Sequence, residues 1–226
     1  MLAGRHVVMT GADGTIGSAI RARLAGAGAA VTTIGHRPGL ADHVADFTEE
    51  AALEAAVCAA ARPIDGLVFA HGLLLPGPID AVTPAEWRRM LSINLDSIYT
   101  IIHHALPRLA SGASIVAVSS TAAFDHSPVG GPHYTASKWA LNGLVRHLAF
   151  DLGPRGIRIN SVCPGTVEGP MARALLSAEA YEESLKAIPL GRAAEGDEIA
   201  EVVQFLLEPR SRYVTGTNVP VAGGYR

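Results

Sequence analysis

The chain has 226 residues, of which 49% are hydrophobic and 17% charged, with a formal net charge of −3. That charge offers no basic footprint for nucleic acid, and no apolar run reaches the roughly 20 residues that would cross a bilayer. The two cysteines, Cys58 and Cys163, have no zinc-type spacing and read as reduced thiols of a cytoplasmic protein, with no metal site expected. The length suits one domain over residues 1–226.

Residues 6–9 form a short apolar run, followed at once by Thr10-Gly11-Ala12-Asp13-Gly14-Thr15-Ile16-Gly17 and then by a helical pattern from Ser18. Strand, glycine-rich turn and helix in that order make a cradle for a dinucleotide pyrophosphate. The glycines permit close backbone approach, and the helix N-terminus offers free N–H groups. A second strand is expected over residues 30–34, a short third over 44–46, a helix over 49–61 and a fourth strand over 66–70. Thr83 as N-cap with Glu86 three residues on is a capping box opening a long helix over 84–109. A β-rich run over 113–119 follows, then a helix ending near residue 152 before Gly153-Pro154. A strand over 157–162, a helix over 196–207 and a strand over 218–221 complete the chain. This alternation predicts an α/β fold with a doubly wound parallel sheet of about seven strands, helices on both faces, and sites at the strands' C-terminal ends.

Tyr134 and Lys138 stand four residues apart at the start of the helix that runs through Trp139, Leu141, Leu144 and Val145, so they share one helix face. An ammonium beside a phenol favours phenolate and lowers its pKa toward the range useful for acid–base work. Alone, such a pair is usually a solvated helix face; the surrounding motifs decide its meaning here.

The Thr-Gly turn, Asn94-Leu95, Ser119-Ser120, Tyr134-x-x-x-Lys138, Pro164-Gly165, Gly191-Arg192, Tyr213-Val214-Thr215-Gly216 and the terminal Gly223-Gly224 occur in a fixed order. As an ordered set they resemble the short-chain dehydrogenase/reductase family over nearly the whole chain. The resemblance implies a Rossmann-type fold and an NAD(P)-dependent oxidoreductase that interconverts a ketone or aldehyde and its alcohol. Its partners would be a small-molecule substrate and further copies of itself, as a homotetramer or homodimer. Tyr134 would be the general acid/base, Lys138 would hold the nicotinamide ribose, and Asn94 a water that relays protons from Lys138. Ser120 would orient the substrate carbonyl, with Ser119 the alternative. The spacing from Ser120 to Tyr134 is one residue longer than usual, and the extra residue is assigned to the loop over 124–131.

For the cofactor, the resemblance assigns Gly11, Asp13, Gly14, Thr15, Ile16 and Gly17 to the pyrophosphate turn. Ala70, His71 and Gly72 would make backbone contacts, as would Pro164, Gly165 and Val167. His36 and Arg37 stand where an acid would accept the ribose of NAD, which favours NADP over NAD, although Asp13 would oppose the extra phosphate. Asp46 would bond the adenine amino group with Phe47 beside it; the alternative is a cap on the following helix. Some positions depart from the family pattern. Thr15 replaces the middle glycine of the turn, and Phe69-Ala70-His71-Gly72 lacks the usual sheet-stabilising Asn. Gly169 replaces a Thr that often bonds the nicotinamide carboxamide, and Ala222 replaces an Asp. Ala122, Phe124, Val167, Met171, Leu175 and Leu176 are expected to line an apolar pocket, with residues 169–188 as a lid. The competing reading is a non-catalytic dinucleotide-binding regulator or scaffold.

Overall fold

The computed structural model describes residues 2–60 and 63–225, with residues 171 and 172 described by backbone alone. The first half runs β1 (His6–Thr10), α1 (Thr15–Gly26), β2 (Ala30–Gly35), β3 (His43–Val44), α2 (Glu50–Cys58) and β4 (Ile64–Phe69). Then come α3 (Pro84–Leu91), a π-helical segment (Ser92–Asp96), α4 (Ser97–Ala105), β5 (Leu109–Val118) and α5 (Pro132–Leu152). The chain continues through β6 (Arg158–Pro164), α6 (Pro170–Leu175), α7 (Ala178–Lys186), α8 (Gly196–Leu207) and β7 (Asn218–Val221).

The seven strands lie in the order β3-β2-β1-β4-β5-β6-β7, and every pairing is parallel. Both faces are covered, so the central strands read as continuous apolar runs rather than alternating ones. On one face Leu53 and Val57 of α2, Ile98 and Ile101 of α4, and Leu141 and Val145 of α5 close over Ile34, Leu67, Ile115 and Ile159. On the other, Ile20 and Leu24 of α1 and Ile199 and Val203 of α8 meet Val7, Met9, Val68, Val116 and Val162. Truncating any one of these fully buried Leu or Ile side chains to Ala should cost about 2–5 kcal/mol. Among the described residues no helix is long and apolar enough to cross a membrane.

Three elements differ from the sequence expectation. The third strand stops at Val44 because Asp46 turns back on Thr48, accepting its N–H at 2.8 Å and its hydroxyl at 2.7 Å. The helix expected over 84–109 opens with the Thr83–Glu86 capping box but is interrupted at residues 92–96 and gives way to β5 at Leu109. The interruption has a local cause. The Ser97 N–H reaches Ser92 O, while Ile93 O accepts instead from Ser97 Oγ at 2.8 Å and pairs with His71 Nε2 at 3.1 Å. Finally, residues 169–188 fold into two short helices, α6 and α7.

Candidate active site

The order of the strands reverses between β1 and β4, which opens a crevice at their C-terminal ends. A cavity of about 1250 Å³ occupies it, walled by the segments that follow β1, β2, β4, β5 and β6 and by part of residues 169–188.

The turn after β1 is shaped by what it excludes. Gly11 has φ +69°, and a Cβ there would lie 2.4 Å from His71 N; a Cβ on Gly17 would lie 1.9 Å from Gly11 O. Only glycine permits that approach of turn, strand and helix. α1 begins at Thr15 after Gly14, which supplies no side-chain cap, so its first-turn N–H groups face the cavity and suit an anion. Asp13 is not free to oppose a phosphate: its carboxylate pairs with Arg37 Nε at 2.9 Å. His36, Arg37, Asp46, Phe47 and Arg89 line this end of the cavity. The Asp46 bonds to Thr48 hold its carboxyl below the usual range and close a turn ahead of α2, whose N-cap is Glu49 with no side-chain cap bond, so Asp46 is not the cap of that helix.

His71 occupies the place of the missing Asn, and its side chain does more than the sequence indicated. Its Nδ1 lies 2.6 Å from Thr10 Oγ1 and its Nε2 2.9 Å from Ser97 Oγ, so one imidazole bridges the end of β1 to the π-helical segment. Phe47 stacks flat on it, with ring centroids 4.2 Å apart. Burial, with a smaller push from the Lys138 charge, lowers His71 to about 3 and keeps it neutral. A polar residue directly after an otherwise apolar strand was the only sequence signal for this bridge.

Ser120 caps a short 3-10 turn after β5, accepting from Ala122 N at 3.1 Å, and its hydroxyl stands near the Tyr134 phenol. Ser119 Oγ, by contrast, is buried with no hydrogen-bond partner among the described residues. Both serines, Thr121 and Tyr134 line the cavity, whereas Lys138 and Asn94 stand behind that wall. Lys138 Nζ donates to Val118 O at 3.2 Å. A Cβ on Gly72 would lie 3.6 Å from Lys138 Nζ and 3.5 Å from Asn94 Oδ1, so Gly72 marks the gap between the two. Asn94 is completely buried; its Oδ1 accepts from Leu73 N at 2.7 Å, and its Nδ2 donates to Leu73 O at 2.9 Å and Ser137 Oγ at 3.0 Å.

The electrostatics run against one expectation. Tyr134 is raised, not lowered: burial pushes the phenol up and the nearby Ser120 hydroxyl only partly opposes it. Lys138 is lowered to about 8 by its own burial. The physical reason is that both groups lie in the same dry interior, where desolvation penalises each charged form.

The loop over 124–131 is pinned at both ends. Trp139 Nε1 donates to Asp125 O at 2.9 Å, and Gly131 N donates to Leu75 O at 2.9 Å. Phe124 at its start is 46% exposed and stays off the cavity wall, contrary to expectation. Ala122, Val167, Leu175 and Leu176 do line it, while the Met171 side chain lies outside the described residues. The segment over 169–188 is fastened by Glu168, which accepts from Arg173 Nε and Tyr181 Oη, each at 2.6 Å. Tyr181 is buried and pushed up to about 12 by that burial and by the carboxylate.

A family model described as enoyl-(acyl carrier protein) reductase matches residues 10–226. The chain is 36% identical over 200 residues to trans-4-hydroxycyclohexanecarboxylate dehydrogenase of Sinomonas cyclohexanicum, covering 85% of this chain and 73% of that protein. The structure of a short-chain dehydrogenase/reductase (glucose/ribitol dehydrogenase) from Brucella melitensis superposes with a TM-score of 0.92 at 33% identity, covering 100% of this chain and 98% of the other. A blue fluorescent protein from a metagenomic library, in complex with NADPH, gives 0.92 at 32% identity over 99% and 98% of the two chains. A 3-oxoacyl-[acyl-carrier protein] reductase from Brucella melitensis with bound NAD gives 0.89 at 30% identity over 98% and 91%.

Proposed function

The chain belongs to the short-chain dehydrogenase/reductase family of NAD(P)-dependent oxidoreductases, and from that premise we propose that it interconverts a ketone or aldehyde with the corresponding alcohol using NADP(H). One observation carries the reading: Ser120 and Tyr134 stand together on the cavity wall, with Lys138 Nζ behind them, 5.7 Å from the centroid of the Tyr134 ring.

The residues present fit a dinucleotide. The turn leaves no room for a Cβ at Gly11 or Gly17, and the first-turn N–H groups of α1 would hold the diphosphate. His36 and Arg37 would meet the adenosine 2′-phosphate, and Asp46 and Phe47 flank the adenine end. The main chain of Ala70, His71 and Gly72 and of Pro164, Gly165 and Val167 would hold the ribose and nicotinamide portion. The bound nicotinamide supplies the hydride acceptor or donor. With its phenol kept neutral by burial, Tyr134 donates a proton to the carbonyl oxygen in reduction and takes it back in oxidation. Ser120 donates to the same oxygen and stabilises its developing charge. Because the Asn94 side chain is committed to Leu73, a water passing protons to Lys138 would be held by main-chain groups of the π-helical segment.

Beyond Tyr134 the wall is mainly apolar, with Leu74, Val129, Leu175, Leu176 and Ala180, which favours an apolar carbonyl substrate. Tyr99 on α4, together with Trp139 and Phe150 on α5, is exposed at 52%, 51% and 82%, which supports assembly into a homodimer or homotetramer. Free Cys58 and Cys163 favour a reducing, cytoplasmic setting. One continuous seven-stranded sheet favours a single dinucleotide-binding domain over residues 1–226. The test is NADPH consumption with a panel of carbonyl compounds. Tyr134→Phe should lower turnover by roughly 10²-fold or more. Unchanged turnover would remove Tyr134 from its role.

A further inference from the structure

Two departures from the family pattern meet in space. Thr15 and Gly169 lie on facing walls of the cavity, and a Cβ added to Gly169 would come within 2.9 Å of Thr15 Oγ1 and 3.0 Å of its Cγ2. Gly196, at the start of α8, clears the other side, where a Cβ would lie 3.1 Å from Thr15 O. The room around residue 15 therefore holds one side chain, and here it belongs to Thr15. Gly169 also has φ +155°, a backbone conformation that other residues rarely adopt, so position 169 is doubly closed to a side chain.

Thr15 is the first residue of α1, and its side chain is exposed to the cavity. Among the described residues no hydrogen bond engages its hydroxyl. It stands at the uncapped start of α1, where the first-turn N–H groups have no side-chain partner.

We propose that Thr15 Oγ1 is a ligand of the dinucleotide diphosphate, admitted to the cavity because position 169 has no side chain, so that the two positions act as one complementary pair. This rests on the dinucleotide reading above. A hydroxyl donating to a charged phosphate oxygen adds to the main-chain contacts of the helix terminus. Both the hydroxyl and the methyl of Thr15 abut the space left at Gly169, which joins β6 to α6.

The test is direct binding to the purified protein, followed by fluorescence titration or calorimetry. Thr15→Val keeps the shape and removes the hydroxyl, and Thr15→Ser keeps the hydroxyl and removes the methyl. Thr15→Val should weaken NADPH and 2′-phospho-ADP-ribose equally, by about tenfold or more, with Thr15→Ser close to wild type. A loss confined to NADPH, or no loss, would overturn the diphosphate assignment. Thermal melting tests the pair: Gly169→Ala should cost clearly less in a Thr15→Gly background than alone. Additive costs would overturn the pairing. Failure of the wild type to bind NADPH or NADH would instead overturn the dinucleotide reading, and this proposal with it.

Discussion

Lys138 Nζ stands 5.7 Å from the centroid of the Tyr134 ring, over its face, while donating to Val118 O at 3.2 Å. The ammonium is thus held by the main chain of β5, buried behind the phenol it is expected to assist. That placement has a cost for folding. The ordinary pKa of 10.5 falls to about 8 in the folded chain. Between those values the unfolded chain binds more protons, so stability rises with pH across that window, and a gap of this size corresponds to roughly 3 kcal/mol. Lys138→Met should therefore melt at a higher temperature than wild type at pH 7, with the advantage shrinking toward pH 10, while losing activity. A lower melting temperature at pH 7 would contradict the buried-charge account.

The direction of the Tyr134 shift sets the pH profile. A phenol pushed above its ordinary value is neutral at pH 7, ready to donate in carbonyl reduction and short of base for alcohol oxidation. The kcat/KM for oxidation should climb about tenfold per pH unit through the mildly alkaline range, while reduction stays level through neutrality. An oxidation rate that levels off below pH 8 would mean that the phenol is lowered instead.

His71 should govern the acid limb of stability. It is held neutral with a pKa of about 3 against an ordinary 6.5, so the unfolded chain takes up the extra proton between those values and stability is lost as pH falls below 6.5. Wild type should lose about 2 kcal/mol from this source between pH 7.5 and 5. His71→Asn should lack that share of the loss. Parallel urea-unfolding curves for the two proteins at both pH values would refute it.

Cofactor choice is assigned to Arg37, which is 57% exposed, paired to Asp13, and able to swing to a phosphate. Arg37→Ala should lower kcat/KM with NADPH by tenfold or more, an interaction worth about 1.4 kcal/mol, with little change for NADH. Equal losses for the two cofactors would place the discrimination elsewhere.

Glu168 fastens residues 169–188 over the substrate end through Arg173 and Tyr181. Tyr181→Phe should speed hydrogen exchange in that segment and raise KM more than it lowers kcat. Exchange identical to wild type would show that the segment is held by its apolar contacts alone.

Much of the fold was legible locally. The runs of Val, Ile and Leu, the capping box at Thr83–Glu86 and the glycine turn after residue 10 are short-range signals, and the helix over 196–207 and strand over 218–221 match α8 and β7 to the residue. The π-helical break was not legible, because besides the local Ser97–Ile93 bond it is held by an imidazole from residue 71, 22 residues away from Ile93 in the chain. The fates of the site residues divide the same way. The family resemblance brought Ser120, Tyr134 and Lys138 into one short list, and the order of elements agreed with it, since a strand end and a helix start must meet at one sheet edge. Whether burial or a neighbouring charge governs Tyr134, whether Asp13 stands free or pairs with Arg37, and whether Thr15 and Gly169 share one space are questions of distance and solvent access. Those depend on groups far apart in the chain, so only the folded structure decided them.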